Sequence, residues 1–78
     1  MKPIVTEKAV MLIETENILT FTADKIKTRT QIKEDFEKLF DVKVKRVRIL
    51  IKGGKKYAYI KLKKEFPAID IATKLGII

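Results

Sequence analysis

Three groups of residues have types and spacings that could support chemistry. Carboxylates recur within residues 14–16 and within residues 34–37, and paired acids can act in acid–base catalysis or hold a metal. Residues 53–56, Gly-Gly-Lys-Lys, resemble part of a phosphate-binding loop, although the spacing and following helix of such a loop are missing. The third group is a block of lysines and arginines with interleaved tyrosines at residues 42–64.

The acidic residues fit a solvated helix face better than a catalytic site. Glu34 and Glu37 stand beside Lys33 and Lys38, and Glu34 with Lys38 has the spacing of an ordinary i, i+4 pair. The chain contains no Cys, His or Ser. A thiol or serine nucleophile, an imidazole base, a zinc finger and a disulfide are therefore excluded. We predict that the chain is not an enzyme, binds no cofactor or metal and has no small-molecule substrate.

The basic block carries the strongest signal. Residues 42–64 contain eight lysines, two arginines and no acid, whereas the other 55 residues hold eight cations and ten acids. A block of like charge repels itself unless a polyanion neutralises it. A solvated lysine-rich face of the kind found in heat-adapted proteins is the alternative, but the block lacks the accompanying glutamates. A nucleic acid or a comparable polyanion is the expected partner.

The hydrophobic pattern predicts the elements that precede this block. Thr6 caps a helix from about residue 7 to 14, and the alternating residues 18–23 indicate a half-buried strand. A capping box at Thr28 opens a second helix that ends at Phe40. The buried stripe of this second helix is expected to contain Ile32, Phe36, Leu39 and Phe40.

The basic block itself predicts a β-hairpin. Residues 42–51 form a strand whose phase slips, and a bulge at Lys45-Arg46 would keep all five apolar residues on the core side. Gly53-Gly54 supplies a tight turn, and residues 56–63 return with Ala58, Ile60 and Leu62 inward. Tyr57 and Tyr59 then point outward. After the hairpin, Pro67 opens a short helix ending near Leu75, with Gly76 as its left-handed cap.

The predicted fold is a single α+β domain over residues 1–78. A mainly antiparallel sheet of three to four strands has split βαβ topology, with the last strand between the first two and helices covering the sheet. A short extra strand at residues 2–5 would be the fourth. The sequence shows neither a membrane-span-length apolar run nor a signal peptide, so we expect no membrane association.

The candidate RNA-binding residues are the cations near the second helix and along the hairpin, together with both tyrosines. Outward tyrosines could stack on bases or pack on the second face of the sheet, and no helix-turn-helix pattern favours DNA. The candidates are Lys25, Lys27, Arg29, Lys33, Lys43, Lys45, Arg46, Arg48, Lys52, Lys55, Lys56, Tyr57, Tyr59, Lys61 and Lys63.

Five motifs occur in a recognisable order along essentially the whole chain. They are Thr6-Glu7-Lys8, residues 17–21, Gln31-Ile32-Lys33 with residues 39–44, residues 55–62 and residues 69–78. Together they resemble the large-subunit ribosomal protein twenty-three family. The resemblance implies a cytoplasmic, ribosome-bound structural protein that binds large-subunit rRNA near the polypeptide exit tunnel, beside ribosomal protein twenty-nine. The alternatives are a free-standing small RNA-binding domain and a DNA-compacting basic protein.

The resemblance also implies a docking role and an archaeal type. Glu7 matches an exposed glutamate of the family that docks nascent-chain factors, here the signal recognition particle, although a first-turn acid also simply suits the helix dipole. The chain lacks the long basic N-terminal extension of eukaryotic members, which points to an archaeal form. Two departures stand out: Lys27-Thr28-Arg29 replaces the usual Ala-Asn-Lys, and the long hairpin loop of bacterial members is reduced to Gly53-Gly54. We therefore expect no role inside the tunnel lumen.

Overall fold

A computed structural model describes residues 2–23 and 28–77. Over these ranges the chain forms four strands and three helices: β1 (Lys2–Pro3), α1 (Glu7–Glu16), β2 (Ile18–Ala23), α2 (Arg29–Phe40), β3 (Val44–Lys52), β4 (Lys55–Leu62) and α3 (Ala68–Lys74). The strands form a sheet of order β1-β2-β4-β3. Since β4 lies between β2 and β3 and antiparallel to both, the predicted α+β class and split βαβ topology are confirmed.

Both predicted helix starts are confirmed by their capping hydrogen bonds. The Thr6 side chain accepts a hydrogen bond from the Ala9 amide at 3.1 Å. At α2, Thr28 and Gln31 each accept a bond from the other's amide at 3.2 Å, which forms the capping box. The first helix extends beyond its predicted end to Glu16, because Asn17 adopts the left-handed conformation with φ 58° and ends it.

The hairpin contains the predicted bulge. Val44 pairs with Leu62, whereas Arg46 pairs with Lys61, so Lys45 is the extra residue in β3. This shift keeps Val44 and Val47 buried together in the core. Ile51 also takes the predicted core-side position in the register. It is nevertheless 65% exposed, because the hairpin extends beyond the core at that point.

Helices α2 and α3 pack against one face of the sheet. Ile32 and Phe36 of α2 join Leu19, Phe21 and the inward residues of β4 in the core. The rings of Phe21 and Phe36 meet edge to face with centroids 5.6 Å apart. Leu39, predicted to be buried, is 72% exposed. Ile32, Phe36 and Phe40 are spaced by four residues, so their row turns gradually around the helix axis. At the end of α2 it is therefore Phe40 that contacts the core, while Leu39 points past the edge of the core into solvent.

Asn17 joins three elements at one point. Its Nδ2 donates to the carbonyl oxygens of Leu62 and Phe66 at 3.2 Å each, and its Oδ1 accepts from the Ala68 amide. Its own carbonyl accepts from the Leu62 amide at 3.2 Å. The side chain therefore ties the end of α1 to the end of β4 and to the start of α3.

The prediction that Glu37 lies on the solvated face of α2 is wrong. Its Oε2 accepts a hydrogen bond from the Val44 amide at 2.9 Å, and the side chain is half-buried. The amide at the start of an edge strand needs an acceptor, and the second helix supplies one. At the other end of the chain, α3 closes with Gly76 at φ 74° and with the Ile77 amide bonded to Ala72. This is the predicted left-handed cap.

Within residues 2–23 and 28–77, no helix combines the length and apolar character needed to cross a bilayer.

We expect Asn17→Ala to lower the free energy of unfolding by about 2–3 kcal/mol, because it removes the hydrogen bonds at a partly buried junction. Thr73→Ala is the matched control, since its hydroxyl bonds within an exposed helix to Ile69, and it should cost less than about 0.5 kcal/mol. Urea unfolding of both variants measures the difference. Equal losses would contradict the role assigned to Asn17.

Candidate nucleic-acid interface

The face of the sheet opposite the core is the candidate interface, and we call it the open face. Along β4 it presents Tyr57, Tyr59 and Lys61, because Ala58, Ile60 and Leu62 alternate with them and are buried. The cross-strand register adds their neighbours from the flanking strands. These neighbours are Ile18, Thr20 and Thr22 from β2 and Arg46, Arg48 and Leu50 from β3.

The bulge at Lys45 decides which β3 side chains reach this face. Val44 faces the core, and a regular strand would turn Arg46 toward the core as well. The extra residue reverses the phase, so Arg46 lies opposite Lys61 and Arg48 lies opposite Tyr59. Directly opposed residues of an antiparallel pair have their Cβ atoms about 5 Å apart. Two guanidinium groups and an ammonium group therefore share the open face with a tyrosine ring.

Both tyrosines lie on a central strand of the sheet and are half-buried. Tyr59 is opposite Thr20 on one side and Arg48 on the other, and Tyr57 is opposite Thr22 and Leu50. Their rings thus lie on the open face, away from α2 and α3. Side chains of α1 border the same concavity as these rings, so base stacking and packing on the second face both remain possible roles for the outward tyrosines.

A larger concavity of about 560 Å³ lies between the open face and the start of the chain. Its walls are the two tyrosines, the hairpin turn and side chains from α1 and the segment before it. Sequence reasoning missed Lys8 and Thr20, which both line it. Neither has a local sequence signal, because the register of β2 with β4 and the position of α1 bring them here. The lining residues are Ile4, Thr6, Lys8, Ala9, Leu12, Thr20, Leu50, Lys52, Gly53, Lys55, Tyr57 and Tyr59.

A smaller concavity of about 160 Å³ lies at the other side of Tyr59, and its lining includes Arg46, Arg48 and Lys61. Glu16 and Ile18 complete it. The Lys61 Nζ lies 3.8 Å from the Glu16 Oε2, with the two side chains 33% and 54% exposed. An ion pair this long and this exposed contributes little to stability. Lys61 therefore remains available to a stronger anion.

The remaining cations of the hairpin lie at its two ends. Lys52 opposes Lys55 at the turn, and Lys56 has core-side parity and is half-buried. At the base of the hairpin, the Lys63 amide donates to the Lys43 carbonyl at 3.1 Å. The side chains of Lys43, Lys45 and Lys63 are exposed there.

The structure does not bring the second-helix cations to this face. Arg29 and Lys33 are exposed residues of α2, and α2 covers the core side of the sheet. They lie on the other side of the molecule from the tyrosines. Lys25 and Lys27 lie outside the described residues.

Within the described ranges, no three or more acidic side chains cluster as potential metal ligands. Glu7 is exposed in the first turn of α1. Two apolar side chains near it are unusually exposed, Val5 at 59% and Met11 at 60%. This second surface is separate in character from the cationic hairpin.

Comparisons with known proteins agree with the motif order. Residues 1–70 match the family model of ribosomal protein L23. The chain is 51% identical over 76 residues to the large ribosomal subunit protein uL23 of Methanococcus aeolicus, covering 96% of this chain and 88% of that protein. It is 47% identical over 76 residues to the uL23 of Pyrobaculum aerophilum, covering 96% and 94%.

The chain belongs to the ribosomal protein L23 family. It is therefore a structural protein of the large ribosomal subunit and not an enzyme. Membership places it with cytoplasmic ribosomes, as the motif resemblance implied, and its two relatives named above are archaeal.

The turn that presents Lys52 and Lys55 should tolerate asparagine better than valine at its first position. Gly53 and Gly54 have φ of 58° and 77°, and a Cβ on Gly53 would meet nothing within 4 Å. Any loss therefore comes from backbone strain. We expect Gly53→Asn to change the free energy of unfolding by less than about 0.5 kcal/mol and Gly53→Val to lower it by about 1–3 kcal/mol. Urea unfolding tests this, and equal losses would contradict it.

Proposed function

We propose that the chain binds large-subunit rRNA through the open face and the hairpin tip. The register carries the proposal: it gathers Arg46, Arg48 and Lys61 beside the rings of Tyr57 and Tyr59 on a face away from α2 and α3. Arginines meet phosphates with paired donors, and aromatic rings accept unstacked bases. Lys52 and Lys55 extend the positive surface to the turn.

The charge distribution supports a polyanionic partner. The protein carries a net charge of +8, and the hairpin segment holds more than that excess because the other 55 residues are net acidic. Each phosphate neutralised by such a surface releases condensed counterions and makes binding salt-dependent. A structural protein of the ribosome meets this requirement with rRNA.

Reversing charge at the hairpin tip should weaken rRNA binding more than the same reversal elsewhere. We expect Lys55→Glu with Lys56→Glu to lower affinity for large-subunit rRNA and to reduce the salt slope by roughly 1.4–1.8, the loss of two phosphate contacts. The matched control is Lys38→Glu with Lys74→Glu, which has the same net charge but changes exposed residues of α2 and α3. Filter binding at several salt concentrations measures both slopes. Equal slopes for the two double variants would count against the hairpin.

We further propose a location near the polypeptide exit tunnel, beside ribosomal protein twenty-nine. The motif resemblance supports this placement. The two-residue Gly53-Gly54 turn is too short to extend far from the sheet, so the hairpin would stay outside the tunnel lumen and hold rRNA at its wall.

The surface around Glu7 is proposed to dock the signal recognition particle. Glu7 is an exposed acid on the first turn of α1, and the exposed side chains of Val5 and Met11 give the same region apolar contact area. An acid with adjacent apolar residues suits a protein partner better than RNA. The docking surface and the rRNA surface would thus use different chemistry.

Charge reversal at Glu7 should separate the two surfaces. We expect Glu7→Lys to weaken binding of the signal recognition particle to ribosomes at least about fivefold, since a rim charge pair changes sign, while rRNA affinity stays unchanged. Glu14→Lys is the control on the same helix, because Glu14 is also exposed. Co-sedimentation of the particle with ribosomes carrying each variant provides the measurement. A loss of rRNA binding in Glu7→Lys would instead show that Glu7 supports the fold.

A further inference from the structure

We infer that the open face holds one unpaired nucleotide, with its base in the larger concavity and its phosphate in the smaller one. This inference rests on the proposed rRNA binding and names the form of RNA that the site takes. Tyr59 lines both concavities, so the two are adjacent and share this residue as a wall.

The smaller concavity has the charge and size for a single phosphate. Two arginines and one lysine line its volume of about 160 Å³. Arg46 opposes Lys61 across the strands and Arg48 opposes Tyr59, so the cations approach from two strands. Guanidinium groups bind phosphate oxygens with parallel donors. One phosphate therefore fits between them.

The larger concavity has the surface that a base needs. Ile4, Ala9, Leu12 and Leu50 give it apolar walls, and the tyrosine rings give it flat ones. Its volume of about 560 Å³ lies within the roughly 300–1,000 Å³ of ordinary ligand pockets. Tyr59 and Lys61 are alternate residues of β4 and so lie about 7 Å apart. This separation would allow a base to stack on Tyr59 while its own phosphate lies beside Lys61.

Thr20 supplies an independent indication of a ligand. Its side chain is 6% exposed and lines the larger concavity. The hydroxyl has no hydrogen-bond partner among the residues that the structure describes, and a buried hydroxyl without a partner is unfavourable. It lies opposite Tyr59 in the register. A small shift of that ring on nucleotide binding would give the hydroxyl a polar atom of the base or ribose.

Glu16 competes with the nucleotide for Lys61. The carboxylate lines the smaller concavity and lies 3.8 Å from the Lys61 ammonium. A phosphate in that concavity would lie near this negative charge and would displace it from Lys61. Glu16 therefore lowers the affinity of the site, and its neutralisation should raise it.

The concave shape favours an unpaired nucleotide over a duplex. In a paired helix the bases face each other, so a base cannot enter a pocket while it remains stacked and paired. An antiparallel sheet that presents aromatic residues of a central strand on an accessible face is an established way to stack unpaired bases. The occupant is thus a nucleotide from a single-stranded loop or bulge.

Intrinsic fluorescence provides a direct assay, because the chain has two tyrosines and no tryptophan and both tyrosines lie on the open face. The folded protein is titrated with a short single-stranded oligoribonucleotide, with a fully paired RNA hairpin and with inorganic phosphate. We expect the single strand to quench tyrosine emission at concentrations at which the paired hairpin does not. Inorganic phosphate should bind more weakly than the oligonucleotide.

Matched variants test each part of the site. Tyr59→Leu should lower affinity for the single strand at least about fivefold, from the loss of stacking, whereas Tyr59→Phe should stay within about twofold. Tyr57 remains as the fluorophore in both. Glu16→Gln should raise affinity several-fold, and Glu14→Gln, an exposed acid on the same helix, should leave it unchanged. Circular dichroism checks that each variant is folded.

Two results would overturn the nucleotide site. If the paired hairpin quenches the emission equally, the surface binds phosphates whether or not the bases are paired. If inorganic phosphate binds as tightly as the oligonucleotide, the site binds an anion and no base. If Tyr59→Leu binds the single strand normally while charge reversal at Lys55 and Lys56 still weakens rRNA binding, the nucleotide site fails and the proposed function stands. If neither change has an effect, both fail.

Discussion

Lys45, the extra residue in the pairing of β3 with β4, determines which face of the sheet each later side chain of β3 occupies. A shift by one residue exchanges the two faces of a strand, so the bulge keeps Val47 in the core while it sends Arg46 and Arg48 outward. The bulge leaves one ladder position irregular. As a result, β3 places apolar side chains in the core on one face and cationic side chains on the other face.

This division between the two faces requires the strands to stay in register, and Asn17 supports that register at the same end of β4 as the bulge. The amide side chain satisfies carbonyls at the end of β4 and an amide at the start of α3. The left-handed backbone of Asn17 turns the chain from α1 into β2. These contacts hold β4 between its neighbours, and β4 carries both tyrosines. The position of both tyrosines therefore depends in part on a residue far from them in the sequence.

Family membership and local chemistry agree on the role of the protein. A structural protein of the ribosome needs no catalytic residue, and this sequence contains neither a thiol nor an imidazole. Association with rRNA calls for a surface that can lie against phosphates, and a chain of 78 residues can build only a small core. The sheet forms the core on the face covered by α2 and α3. Its other face, which α1 borders, carries the proposed rRNA surface. The surface around Glu7 is acidic and apolar and therefore differs in chemistry from the basic hairpin.

Local patterns in the sequence determined most of the elements. The caps at Thr6 and Thr28, the alternation of residues 18–23 and the glycine turn are short-range features, and the structure has all of them. Even the bulge was visible as a change of phase, because five apolar residues had to face one core. Leu39 and Ile51 are exposed although the sequence pattern assigns both to the apolar side, since periodicity assigns a side chain to a face but does not show where the core ends.

The composition of the site was likewise visible in the sequence, but its arrangement was not. Charge counting identified the basic block and could not divide it between faces; the strand register placed Arg46, Arg48 and Lys61 with the tyrosines and left Arg29 and Lys33 behind α2. Thr20, Glu16 and Lys8 joined the site through pairing and packing with residues distant in the chain. The sequence by itself determined local conformation and total charge, which depend on neighbouring residues. Only the tertiary structure decided which charges act together, because that depends on long-range strand pairing.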